Sequence, residues 1–148
     1  MCIICESKDN PEKLHEIKDI LDCSNCPNIT EIPDWDGFPG LKTLKCLGCT
    51  SLTELPNIVE LTFINCSDCP LLTEIPIFPE LRVLLCAYCT GLTKIPACPK
   101  LGILDCTACT GLTELPYISE LEELYCGSCP WLPENERNRI SQGLKLQK

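Results

Sequence analysis

The side chains best suited to chemistry in this 148-residue chain are its cysteines. Seven C-x-x-C pairs, at 2/5, 23/26, 46/49, 66/69, 86/89, 106/109 and 126/129, together with Cys98 account for all 15. Cysteines three apart are what tetrahedral zinc sites use, and neighbouring pairs such as Cys86/Cys89 with Cys106/Cys109 offer four thiolates. The regularity argues against that use. An array of equal pairs needs many metal sites or an arbitrary choice among them. On extended chain the two members of a pair also stand ~10 Å apart, whereas a zinc knuckle curls them onto one ion. Disulfides are the other use. The odd count, and a start (MCIICESKDNPEK) with too short an apolar stretch and no basic region for a secretory leader, favour a reducing cytoplasmic setting and free thiols. No metal or other cofactor is expected.

Enzyme chemistry finds little else. Cys98, in PACPK, has only Lys100 as a polar neighbour of note, and a nucleophile needs an adjacent base. It reads as an ordinary surface or half-buried cysteine. The lone His15 reads as a surface residue. There is no Gly-rich phosphate loop, no G-x-S-x-G, and no carboxylate pair outside the repeating pattern. The chain is read as no enzyme.

What positions the cysteines is a repeat. CSNCPNITEIP, CLGCTSLTELP, CSDCPLLTEIP, CAYCTGLTKIP, CTACTGLTELP and the truncated CGSCPWLP begin at Cys23, Cys46, Cys66, Cys86, Cys106 and Cys126. The step is 20 residues from Cys46 onward; the first is 23, with DWDGFP lengthening one connection. A fixed period of this size means a stacked array. Within LKTLKCLGCTSLTELPNIVE, Leu44 and Cys46 alternate with Thr43, Lys45 and Leu47, which predicts a short strand with Leu44 and Cys46 inward. Leu52 and Leu55 follow three apart, and Pro56 closes an extended or tightly turned return. Stacking turns these positions into core columns: Leu41/61/81/101/121; Leu44, Ile64, Leu84, Leu104, Leu124; Leu52/72/92/112; Leu55, Ile75, Ile95, Leu115. The strands are expected to pair in parallel along one face.

The segment L-x-x-L-x-C-x-x-C-x-x-L resembles the recurrent segment of the leucine-rich repeat family, in the variant with Cys where Asn is commoner. The short period and the LTELP return look most like the compact repeats of bacterial effectors and of similar proteins in large DNA viruses. The resemblance spans roughly residues 21–132. It implies a right-handed leucine-rich repeat solenoid, a horseshoe with a parallel sheet on one face, turn-like returns on the other and helices only at the caps. It also implies that Cys109 and its equivalents stand where the family's Asn satisfies backbone groups. Two departures are Cys instead of Leu at the third inward position and Lys18 where the first copy should have Leu. Effectors of this kind often join the array to a ligase or kinase-like domain; none is expected here, because the chain ends soon after the array. We divide it as one domain: an N-terminal cap at 1–20, five to six repeats at 21–132 and a helical C-terminal cap at 133–148. NPEKLHEIKDIL predicts a capping helix with Asn10 as N-cap and Leu14, Ile17 and Leu21 on one face. A turn and a helix near Glu134–Gln142 are expected to cover the last coil with Trp131, Leu132, Ile140 and Leu144. MCIIC fits either an edge strand or part of the front cap.

The net charge of −9 argues against nucleic acid and anionic membrane as partners, and no apolar run is long enough to span a bilayer. The outward strand positions are more apolar than a solvated face needs. Phe63, Val83, Leu85 and Ile103 form one candidate patch, with Tyr88 and Tyr125 near its edge and Asp105 and Lys45 beside it. Such a patch usually marks an interface; cross-strand support among these side chains is the blander account. The expected function is a non-catalytic protein-interaction module that binds a partner or a second copy of itself through the strand face. The alternatives are a thiolate metal protein and a structural self-assembling module. The threonines at 30, 53, 73, 93 and 113, interleaved with glutamates, read as a solvated return face.

Overall fold

The computed structural model describes residues 2–7, 17–33 and 40–132. A five-residue helix, α1 (Ile3–Ser7), precedes six three-residue strands: β1 (Ile20–Asp22), β2 (Thr43–Lys45), β3 (Phe63–Asn65), β4 (Val83–Leu85), β5 (Ile103–Asp105) and β6 (Glu123–Tyr125). They form one sheet in chain order, every neighbouring pair parallel. Leu21, Leu44, Ile64, Leu84, Leu104 and Leu124 are partners at the strand centres, so each coil repeats the last in register. Strand, turn and return wind as a parallel β-solenoid with almost no helix among the described residues.

The inward alternation holds. All six central strand residues are buried, as are Cys46, Cys66, Cys86 and Cys106 two positions on. Leu41, Leu61, Leu81 and Leu101 fill a second column and Leu52, Leu72, Leu92 and Leu112 a third. In the first coil Ile29 and Ile32 take the places of Leu52 and Leu55. Lys18 is exposed, and the neighbouring Ile17 packs against the core instead. Burial thins toward the far end, where Leu115 and Leu121 are only half-buried.

Each C-x-x-C from Cys23 onward makes a sharp corner. Its second inner residue has positive φ in all six coils: Asn25, Gly48, Asp68, Tyr88, Ala108 and Ser128. The amide there continues the sheet's hydrogen bonding, as in Tyr88 N–H to the Thr107 carbonyl at 2.7 Å and Ala108 N–H to Gly127 at 2.7 Å. The left-handed region costs a residue with a Cβ ~1–2 kcal/mol, less for Asn and Asp. Ala108 has neither a compensating side chain nor glycine's freedom. Ala108→Gly is therefore expected to stabilise the array by up to ~1 kcal/mol once glycine's larger folding entropy is counted. A denaturant melt with a lower midpoint than wild type would contradict this.

Two expectations are corrected and one open choice is decided. Cys98 is not at the surface or half-buried but fully buried. It belongs to a further column, Ile58, Phe78, Cys98 and Ile118, in which each carbonyl accepts the amide of the leucine three residues on. The helix expected over 10–21 does not reach its end: Ile17 and Lys18 are irregular, and Leu21 is the centre of β1 because it continues the strand-centre column. For MCIIC, left open between an edge strand and part of the front cap, residues 2–5 form no strand: Cys2 leads into α1, whose Ile4 is buried and whose Ile3 and Cys5 pack on the core. Residues 8–16 of the front cap and the whole of 133–148 lie outside the described residues. Leu132 is buried and Trp131 half-buried against the last coil.

Candidate functional site

Residues flanking each strand centre point away from the core, and the register sets them in two rows. Thr43, Phe63, Val83, Ile103 and Glu123 are successive partners in one; Lys45, Asn65, Leu85, Asp105 and Tyr125 in the other. Phe63, Val83, Leu85 and Ile103 are half-buried rather than open. Parallel strands ~4.8 Å apart let each side chain shield its neighbour. The apolar row runs over three strands and ends at Thr43 and Glu123. A shallow cavity of about 360 Å³ opens beside it, walled by Val83 and Ile103 with Arg82, Lys100, Glu120 and Glu122. Lys100 is paired with Glu80 at 2.7 Å, and Lys42 with Glu60 at 3.1 Å.

The polar members of the set have local duties. Asp105 accepts the Thr107 amide at 3.0 Å, as Asp22 does for Ser24 and Asn65 for Ser67, each shaping the chain as it leaves its strand. The Ser24 amide holds Asp22 below the usual carboxylate range, with Lys45 across the sheet adding to it. Tyr125 donates its hydroxyl to Glu123 at 3.1 Å, and that bond raises the phenol. Tyr88 is exposed at the corner after β4.

Exposed apolar residues in the returns escaped the sequence reading: Tyr117 is 89% and Ile77 62% exposed. They share one repeat position, and aligning the copies beyond each proline would have shown it. The return threonines are exposed but not idle. Thr53 donates through both amide and hydroxyl to the Thr30 carbonyl, and Thr93 to Thr73.

The cysteines divide into two environments. In the array, the second thiol of each pair donates to the carbonyl of the first cysteine one coil back: Cys49 to Cys23 at 3.1 Å, Cys69 to Cys46 at 3.2 Å, Cys89 to Cys66 at 3.0 Å, Cys109 to Cys86 at 3.0 Å and Cys129 to Cys106 at 3.2 Å. These thiols thus satisfy buried backbone acceptors. The thiol one coil on, together with burial, pushes Cys46, Cys66 and Cys86 well above the usual thiol range. Burial also raises Cys98. At the front, α1 brings Cys2 and Cys5 to Cys26, all three sulfurs within 4.8 Å of one another. Cys5 and Cys26 share a hydrogen bond at 3.0 Å, which with burial pushes Cys5 up to about 12.

Fold and surface together define a class: a β-solenoid built from near-identical 20-residue coils, with an apolar row on its sheet face. Comparison with protein-family models, curated proteins and solved structures finds no match. Among the described residues no helix is long and apolar enough to cross a membrane.

Proposed function

We propose that this solenoid is of the short leucine-rich repeat type and works as a non-catalytic, intracellular interaction module. It binds another protein or a second copy of itself through the strand face, and neither nucleic acid nor membrane. The observation that carries the reading is the row Phe63–Val83–Ile103, with Leu85 beside it: contiguous apolar surface on adjacent strands of a rigid sheet. Interfaces concentrate their energy in such anchors within a polar rim, and Arg82, Lys100, Glu120 and Glu122 supply charges of both signs at one edge. The repeat type is supported by the buried Leu and Cys columns and by the thiol ladder, which does the backbone-satisfying work that the resemblance assigns to Asn. The absence of catalysis is supported by the burial of the array cysteines, whose first members Cys46, Cys66 and Cys86 are pushed well above the usual thiol range, the opposite of what a nucleophile needs.

The double change Phe63→Ser with Ile103→Ser tests the face. It should abolish association, with single truncations costing ~2 kcal/mol or more, while the thermal melt stays close to wild type. For self-association, sedimentation should show wild-type dimers and mutant monomers; for a different partner, binding of that protein should be lost. Association undiminished in the double variant would move the site to the acidic return face around Glu54, Glu74 and Glu114.

A further inference from the structure

The pair Cys2/Cys5 has the same spacing as the other six pairs and a different geometry. Array pairs lie on a strand end and its corner. Their first cysteine is buried in the core, and from the second coil on the second thiol is committed to a carbonyl of the preceding coil. Cys2 and Cys5 instead lie at the start of α1, where the Glu6 amide bonds to the Cys2 carbonyl and closes a helical turn. Residues three apart on a helical turn share a face. That face meets Cys26, the second cysteine of the first coil, and Cys26 has no coil before it to bond. Among the described residues its thiol has no carbonyl partner of the kind its equivalents use, and it faces Cys5 at 3.0 Å instead.

We propose that Cys2, Cys5 and Cys26 bind one zinc ion, which clips α1 onto the first coil of the solenoid. The three sulfurs already lie within 4.8 Å of one another. Zinc–thiolate bonds of ~2.3 Å in a tetrahedral set put sulfurs ~3.8 Å apart, so the cluster reaches coordination through shifts on the order of 1 Å. Cys2 and Cys5 are only half-buried. A cavity of about 470 Å³ opens on the cluster, lined by Cys2 and Cys26 with Ser24, Asn25, Pro27 and Asn28, and gives the ion both an entry path and a water for its fourth position. The nearby Cys23 is not that fourth ligand, because it is fully buried and its thiol donates to the Lys45 carbonyl at 3.4 Å. Binding releases the three thiol protons to solvent and leaves three thiolates and one water on the metal. The physical need is at hand: an open array exposes the apolar edge of its first coil, and α1 has five residues, too few to hold itself there without a tether.

The full chain, purified and kept under a phosphine reductant, should take up one zinc per molecule by elemental analysis after dialysis against zinc buffer. In wild type, zinc should shield Cys2, Cys5 and Cys26 from iodoacetamide relative to chelator-treated protein, as mapped by mass spectrometry. The variant Cys2→Ser with Cys5→Ser should bind no zinc and melt as wild type does after chelation. Any of three results overturns the proposal: wild type that holds no zinc, zinc retained in full by the double variant, or zinc-dependent shielding that falls on array pairs. A Cys5–Cys26 disulfide that persists under the reductant overturns it as well. The alkylation arm needs no variant, so a misfolded mutant cannot obscure the outcome.

Discussion

Leu84→Ala is expected to destabilise the protein by ~2–5 kcal/mol, whereas Leu85→Ala, one residue on, should cost at most ~1 kcal/mol. The two side chains are the same and share one strand; only the pleat separates them. Leu84 is fully buried at the centre of β4, stacked between Ile64 and Leu104. In a solenoid each coil touches only its neighbours, so stability is nearly a sum of coil and interface terms. Truncating Leu84 weakens two interfaces at once, in the middle of the array, and leaves a cavity that a stack of regular coils cannot readily collapse. Leu85 is half-buried between Asn65 and Asp105, and water takes much of the vacated space. Urea melts of the two variants read the difference directly. Equal, large losses would mean that inward and outward faces are wrongly assigned, and the proposed interaction row would fall with them.

How far this architecture can be read from the chain depends on how often each feature recurs. The strand centres are legible because Leu44, Ile64, Leu84 and Leu104 return every 20 residues within alternating surroundings, and that period also dictates parallel pairing in register. The corner was legible in principle: Asn25, Gly48 and Asp68 are residue types that tolerate positive φ. Tyr88 and Ala108 at the same position hide the signal, since there the repeat imposes a conformation that their own propensities oppose. The front of the chain was illegible for another reason. C-x-x-C at residues 2 and 5 reads like the pairs behind it, and nothing local says that this copy starts a helix and lacks a preceding coil. Its distinct environment, and the thiol cluster with it, exist only once α1 is docked. The outward row follows from the same alternation as the core, but its half-buried state does not, because shielding comes from neighbours on other strands.

Phe78→Ala should be the most damaging single truncation in the returns, at ~3–5 kcal/mol, and its partner in the effect is Cys98. Phe78 is the largest fully buried side chain in the molecule's described part. It stands in the column Ile58, Phe78, Cys98, Ile118, where the chain sets its bulkiest member beside its smallest. The backbone ties the two together as well, with the Phe78 amide donating to the Cys98 sulfur at 3.4 Å. Cys98 is thus small because Phe78 is large, which is why a cysteine that looks like an irregularity in PACPK is fully buried. Cys98→Leu should overpack the column and cost ~1–3 kcal/mol, part of it from the lost acceptor for the Phe78 amide. Cys98→Ala isolates that part, since it removes the sulfur without adding bulk. The combination Phe78→Leu with Cys98→Leu restores something near the aliphatic filling seen at Ile58 and Ile118. It should lose less stability than the sum of its single changes, by ~0.5–3 kcal/mol, as neighbours that share one space do. A double-mutant cycle from chemical denaturation measures that coupling. Additivity to within ~0.5 kcal/mol would show that the two side chains do not compete for volume, and the account of Cys98 as the small half of a complementary pair would be wrong.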